Sequence, residues 1–278
     1  MRLRHGGIML LSGTLQLAAG DYRKGTPSEL DGLWRMTPEE WGYAMTRLQI
    51  AWEKMPKGGL GESGDSIELV ERPLGGLSLI LADGQGSGPA ARRIARMVAM
   101  KAVGLIADGT RDGAVARAVQ DMLYTAREGR VTANLTLLTA DMHTRSLLVS
   151  RNAPCPVLVR QEGRTFRIDG ATEVIGTYRK TRPSITELGL LPSSLLIAFS
   201  DGILTAGRRY DRSIDWNQVD AELASLDVDG IAQWVEDFMA LAIDLDRGRP
   251  QDDMSVVALG VREDDGQSLR RLTASIPY

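Results

Sequence analysis

Leu79-Ile80-Leu81-Ala82-Asp83-Gly84-Gln85-Gly86-Ser87-Gly88 is an apolar run that ends in a carboxylate on a glycine-rich turn. Two more aspartates occupy matching settings far downstream. One is in Ala198-Phe199-Ser200-Asp201-Gly202; the other is in Gln251-Asp252-Asp253-Met254-Ser255, just before Val256-Val257-Ala258-Leu259. A fourth, Asp65 in Ser63-Gly64-Asp65-Ser66, lies upstream. Carboxylates at the mouths of buried strands cost free energy unless something pairs with them. Hard divalent cations are the usual partners of convergent oxygen ligands.

A strand, a glycine loop and a helix also describe a dinucleotide-binding turn. Gly84 and Gly86 supply its first two glycines, but the third falls on Pro89, and Asp83 would point a negative charge at a pyrophosphate. A Walker A loop needs a Gly-Lys-Ser/Thr ending that this chain lacks. A metal centre asks less. Asp83 at a strand end can bridge two cations, and glycine at 84 lets the main-chain carbonyl approach one of them. Asp201 and Asp252, at the start or end of other strands, would join them on a shared rim. Mn²⁺ or Mg²⁺ suits such an all-oxygen site. A water shared between two such ions loses its proton more easily and is held for in-line attack on a phosphoryl group. Taken singly, an Asp-Gly pair is ordinarily a turn, Asp252-Asp253 a solvated loop and Asp65 an Asx-turn. The joint pattern, with apolar runs abutting three of the four, favours a site.

Composition narrows the chemistry in the same direction. At 278 residues the chain is one large domain, or one domain with an appendage. A net charge of −3 gives no electrostatic case for nucleic acid or an anionic membrane as partner. A single cysteine, Cys155, excludes an internal disulfide framework and fits a reducing compartment. His5 and His143 alone leave little material for a His-rich zinc site or a Ser-His-Asp triad. No apolar run approaches the roughly 20 residues of a membrane-spanning helix. Arg2 and Arg4 before Ile8-Met9-Leu10-Leu11 resemble an export signal, but Ser12, Gly13, Thr14 and Gln16 dilute the apolar region, so the chain reads as cytoplasmic.

Residues 1–45 read as an accessory segment. Leu15 and Leu17 alternate with polar neighbours like a short strand, Asp21 to Gly32 is a polar loop, and Thr37-Pro38-Glu39-Glu40 starts a helix capped by Thr37. Between Arg47 and Met55 two periods compete. Leu48, Ile50 and Trp52 alternate as in a strand, while Trp41, Met45, Leu48 and Trp52 share a helical face. Ile67–Val70 and Leu77–Leu81 predict a hairpin about Pro73-Gly75-Gly76. Ala91, Ile94, Ala95, Val98, Ala102 and Leu105 then follow helical spacing, and a second helix from Asp112 to Arg127 buries Val115, Ala118, Met122 and Leu123. Strands follow at Ala133–Leu138, Ser146–Ser150, Val157–Arg160, Thr165–Ile168 and Leu195–Phe199. Helices at Trp216–Leu226 and Ile231–Leu245 precede a last strand, Met254–Val261. Helices in blocks between antiparallel-type strands predict an α+β fold over residues 46–264, with 265–278 as a tail.

Ser63-Gly64-Asp65-Ser66, Ala82-Asp83-Gly84-Gln85-Gly86-Ser87-Gly88, Phe199-Ser200-Asp201-Gly202-Ile203 and Gln251-Asp252-Asp253-Met254-Ser255-Val256-Val257 resemble, in that order, the motifs of metal-dependent PP2C-type (PPM) phosphatases. The closest flavour is the bacterial branch typified by the stage II sporulation protein E phosphatase domain and the RsbU/RsbX-like regulators of anti-sigma factor antagonists. The resemblance spans about residues 46–262. It implies an α-β-β-α sandwich with metals at one edge, and favours the strand reading of Arg47–Met55. It also implies a Mn²⁺- or Mg²⁺-dependent protein serine/threonine phosphatase, with Asp83 and Asp201 central to catalysis. In that scheme Asp83 bridges two ions, Asp65 and the Gly84 carbonyl serve one, and Asp201 and Asp252 serve the other. Asp252 is preferred to Asp253 because the family's ligand is the first of the two acidic or amide positions. The implied substrate is a phosphorylated regulatory protein such as an anti-sigma factor antagonist.

Departures from the family pattern bear on substrate rather than ligands. Gln85 stands where relatives often carry Met or His, Thr205 replaces a common acid, and Arg151-Asn152-Ala153-Pro154 matches an Asn-Ala-Gly-His turn only loosely. Arg92, Arg93 and Arg96 read as a solvated helix face, Trp34, Trp41 and Trp52 as core or homodimer contacts, and Cys155 as a small buried residue. Two other classes of function stay open on the residues alone. One is a non-catalytic phosphoprotein-binding module of the same fold; the other is a metal-dependent hydrolase of small phosphorylated metabolites.

Overall fold

The run around Leu79 is apolar at every position because its strand is covered on both faces. The computed structural model describes residues 46–263 and, before them, three short strands, β1 (Met9–Leu11), β2 (Thr14–Gln16) and β3 (Tyr22–Arg23), which form a small antiparallel sheet. The helix expected from Thr37 and the tail expected from 265 lie outside the described residues. The main body runs through β4 (Thr46–Met55), β5 (Asp65–Glu71), β6 (Gly76–Gly84), α1 (Gly88–Ala107), α2 (Asp112–Arg127), β7 (Ala133–Asp141) and β8 (Ser146–Asn152). It continues through β9 (Val157–Gln161), β10 (Arg164–Ile168), β11 (Ser184–Gly189), β12 (Leu195–Phe199), α3 (Asp201–Leu204), α4 (Trp216–Ser225), α5 (Ile231–Leu245) and β13 (Met254–Glu263).

Two five-stranded antiparallel sheets result, ordered β10-β9-β12-β13-β4 and β11-β8-β7-β6-β5. Side chains alternate across a strand, so each central strand serves two cores. Leu79 and Leu81 of β6 meet Leu196 and Ala198 of β12 and Val257 and Leu259 of β13 between the sheets. Ile80 and Ala82 face the other way, onto Ala95, Val98 and Ala102 of α1 and Val115 and Val119 of α2. On the far side, Leu195, Ile197 and Phe199 pack against Val219 and Leu223 of α4 and Ile231, Val235 and Phe238 of α5. The layers are therefore α-β-β-α, the sandwich that the motif resemblance implies.

The strand reading of Arg47–Met55 holds, since β4 pairs with β13 over its whole length, from Thr46↔Glu263 to Met55↔Met254. Trp52 is a correction to the core reading. It sits on this edge strand and is 37% exposed, because no neighbouring strand covers that side of β4. Helix α1 runs on to Ala107, so Ile106 is fully buried where Leu105 was expected and Leu105 is only half-buried. In α2 the buried stripe is Val115, Ala116, Val119 and Leu123, with Ala118 and Met122 half-buried at its margin. Strand β11 escaped the pattern reading. Its residues alternate between half-buried and exposed, because an edge strand can pair with β8 while burying little apolar surface.

Candidate active site

Four strand termini meet at one edge of the sandwich. The register sets Asp65, at the start of β5, opposite Asp83 near the end of β6. In the other sheet Phe199, the last residue of β12, is opposite Val256 near the start of β13, so Asp201 and Asp252 leave that sheet side by side. A serine clamp fixes this second junction. Ser200 Oγ donates to the Asp253 carbonyl (3.1 Å) and accepts from the Ser255 backbone N–H (2.9 Å). The two glycines that follow aspartates are required by close approach. A Cβ on Gly84 would lie 2.2 Å from the Ala91 carbonyl oxygen of α1, and one on Gly202 would lie 2.1 Å from the Asp253 carbonyl oxygen.

A cleft of about 380 Å³ opens between these termini, with Lys57, Asp83, Gly84, Asp201 and Asp252 in its lining. Asp65 is 2% exposed and stands between Asp83, its register partner in that lining, and Asp253, which is also buried. Asp253 turns inward: its Oδ1 accepts from the Lys57 backbone N–H (2.9 Å), and its Oδ2 approaches Gly64. Asp252 is thus the member of the pair that faces the cleft. Asn134, on β7 opposite Asp83, donates from Nδ2 to Asp83 Oδ2 (2.9 Å) and orients that carboxylate. Sequence reasoning missed Asn134, and only its place in the sheet register marks it. Gln85 closes the turn, its side-chain oxygen accepting from the Thr132 backbone N–H (3.0 Å).

Negative charge crowds this edge. Both carboxylate oxygens of Asp65 and Oδ2 of Asp253 are buried without a hydrogen-bond partner. Burial, and next the charge of Asp83, holds Asp65 well above the ordinary carboxylate range. Burial and then the Asp201 charge push Asp83 up to about 7, and Asp201 is itself raised by burial and by Asp252. Lys54, which donates to the Asp65 carbonyl (3.3 Å), has its own pKa lowered by burial and by Arg92. Among the described residues no three acidic, histidine or cysteine side chains close around a single point. The acids surround the cleft instead, the spacing that mutual repulsion favours. Convergent oxygens with uncompensated negative charge fit hard divalent cations.

A consequence for stability follows from the sign of these shifts. A carboxyl pKa raised by folding means that the folded state holds a proton the unfolded chain has released. The Asp83 contribution is therefore most favourable below the unfolded value of about 4. It is lost as pH rises to about 7. In EDTA the protein is expected to melt at progressively lower temperature as pH rises from about 4 to about 7. Asp83→Asn should flatten that slope, and Mn²⁺ should reverse the loss, with a larger gain at higher pH. A slope identical in wild type and variant would show that Asp83 titrates normally.

Comparison with known proteins adds independent findings. A family model described as Stage II sporulation protein E (SpoIIE) matches residues 73–262, a span that starts after Asp65. No curated protein matches the chain. Among solved structures, the PP2C phosphatase domain of the cell fate determinant SpoIIE from Bacillus subtilis, with a fragment of its regulatory domain, superposes with a TM-score of 0.67 at 17% identity. That match covers 79% of this chain and 64% of the other, so this chain spans just under two thirds of it. The SpoIIE phosphatase domain in a crystal form without domain swapping gives 0.62 at 18% identity, over 85% of this chain and 99% of that one. The catalytic domain of the serine/threonine protein phosphatase PstP, in complex with two manganese ions, gives 0.60 at 16%, over 78% and 100%.

Proposed function

The chain belongs to the stage II sporulation protein E (SpoIIE) family, and on that premise we propose that it is a Mn²⁺- or Mg²⁺-dependent protein serine/threonine phosphatase. The observation that carries this reading is the convergence of Asp83, Asp201 and Asp252, from strand ends of both sheets, on one cleft. Together with the Gly84 carbonyl they would hold two ions, the number bound in the PstP structure. When bound, the ions supply an activated water and offset the charge that builds on the phosphoryl oxygens. The chain's own residues set the stage for that chemistry. Asn134 fixes the Asp83 carboxylate, and the Ser200 clamp fixes Asp201 beside Asp252. Lys57, in the lining of the cleft, would bring a positive charge towards an incoming phosphoryl group. Asp65, opposite Asp83 in the strand register, would serve one ion together with the Gly84 carbonyl, giving up its proton when the cation binds.

The substrate we propose is a phosphorylated bacterial regulatory protein, with an anti-sigma factor antagonist as the leading candidate. Phosphate release from phosphoserine and phosphothreonine peptides tests the activity. Release is expected with Mn²⁺ or Mg²⁺ and not with EDTA. A folded, metal-titrated protein that releases nothing across a panel of phosphoproteins would overturn the reading. Among the described residues no helix is long and apolar enough to cross a membrane.

A further inference from the structure

Five arginines stand on two loops that flank the acidic cleft: Arg208, Arg209 and Arg212 after Asp201, and Arg247 and Arg249 before Asp252. The loops are far apart in sequence and are joined through one buried carboxylate. Asp246, 1% exposed, accepts from the Gly207 backbone N–H through Oδ1 and from the Gln251 backbone N–H through Oδ2, both at 2.8 Å. Arg209 donates to Gln251 Oε1 (2.8 Å), and the Arg247 guanidinium lies over the Tyr210 ring at 4.3 Å. A third loop is pinned to the same surface. Gly58 donates to the Pro250 carbonyl (2.8 Å), one residue from the cleft-lining Lys57.

This brace leaves an exposed basic rim on a chain of net charge −3. Arg212 is neutralised by Asp244 at 2.7 Å. Arg208, Arg209, Arg247 and Arg249 have no carboxylate partner among the described residues, and Asp211 is the exposed acid between them. The bland account, a solvated loop, does not explain why Arg209 and Arg247 are fixed on a surface that a buried carboxylate ties to the residue before Asp252, with Arg208 and Arg249 exposed next to them in sequence. Guanidinium groups suit acidic side chains and steer acidic partners towards a site. Resting on the phosphatase reading, we infer that this rim docks the acidic residues flanking the phosphorylated position of a protein substrate, and so sets substrate preference without taking part in the chemistry.

The test compares three substrates: an acid-flanked phosphoserine peptide, a lysine-flanked one and p-nitrophenyl phosphate. Wild type should prefer the acid-flanked peptide, with a preference that weakens as salt is raised. In Arg208→Ala/Arg249→Ala, kcat/KM for that peptide should fall about 10-fold, mainly through KM. Hydrolysis of p-nitrophenyl phosphate should stay unchanged. Arg111→Ala/Arg164→Ala, on exposed arginines at the opposite end of the sandwich, should change nothing. Equal loss on all three substrates, no loss on the acidic peptide, or no wild-type preference overturns the docking role. If no substrate is turned over, the phosphatase reading fails separately, and anisotropy of the labelled peptides in Mn²⁺ decides docking. Tighter binding of the acidic peptide that the double variant loses supports it; equal binding of both peptides rejects it.

Discussion

Asp83→Asn is expected to lower phosphate release on the order of 10³-fold while leaving the fold intact and the metal-free protein at least as stable as wild type. Two facts make the effect so lopsided. Asp83 lies between Asp65 across the β5–β6 register and Asp201 across the cleft, and it lines the cleft while facing both. Its negative charge is also a burden to the folded chain. Burial and the neighbouring acids push its pKa up to about 7. An asparagine keeps the size of the side chain and an oxygen that can accept from Asn134, but removes the charge a cation needs. Activity and stability should therefore move in opposite directions. Phosphate release and thermal melting in EDTA, measured on the same preparation, check this. A variant with a tenth or more of wild-type activity would remove Asp83 from the centre of the mechanism. A variant that loses activity together with a large fall in melting temperature would show that the residue matters to the fold first.

What could be read from the chain alone divides along a physical line. Buried strands announce themselves by continuous apolar runs, and the runs ending at Asp83, Phe199 and Leu259 all became central strands with two covered faces. The aspartates were legible for the same reason, because a carboxylate abutting such a run is costly and therefore conspicuous. Edge structure was not legible. Strand β11 has no apolar face to betray it, and Trp52 looks like a core residue until the sheet order shows that β4 has a neighbour on one side only. Contacts set by register were equally hidden. Asn134 is an unremarkable amide in a strand until pairing places it opposite Asp83. The arginine rim is two unremarkable basic loops until Asp246 ties them together. Asp65 was legible only through its motif, since its serine-glycine setting carries no apolar run, and the register then sets it opposite Asp83.

Arg151→Met is expected to cost about 3–5 kcal/mol of stability and to impair the site at the same time. Arg151 is 1% exposed, one of the largest fully buried side chains in the protein. Its guanidinium donates from Nη1 to the carbonyls of Ala153 (2.7 Å) and Cys155 (3.1 Å), and from Nη2 to the carbonyl of Gly170. These acceptors bracket Pro154, which lines the cleft, and anchor the segment that carries Val174, another lining residue. Asn152 continues the same brace, donating to the carbonyls of Glu173 (2.9 Å) and Arg182 (3.2 Å). Methionine fills much of the volume but leaves the buried carbonyls of Ala153 and Cys155, and the more exposed one of Gly170, without this donor. At roughly 2–4 °C per kcal/mol for a domain of this size, the melting temperature should fall by about 10 °C. Lysine should restore only part of it, because one ammonium cannot reproduce a planar fork that reaches two sides of the wall. Denaturant midpoints for the Met and Lys variants, with peptide turnover below the melting range, separate the roles. Reduced turnover in a protein still fully folded would mean that the wall around Pro154 must be held for the cleft to work. Full turnover at reduced stability would confine Arg151 to the fold, and a loss under about 1 kcal/mol would mean that the three carbonyls find other donors.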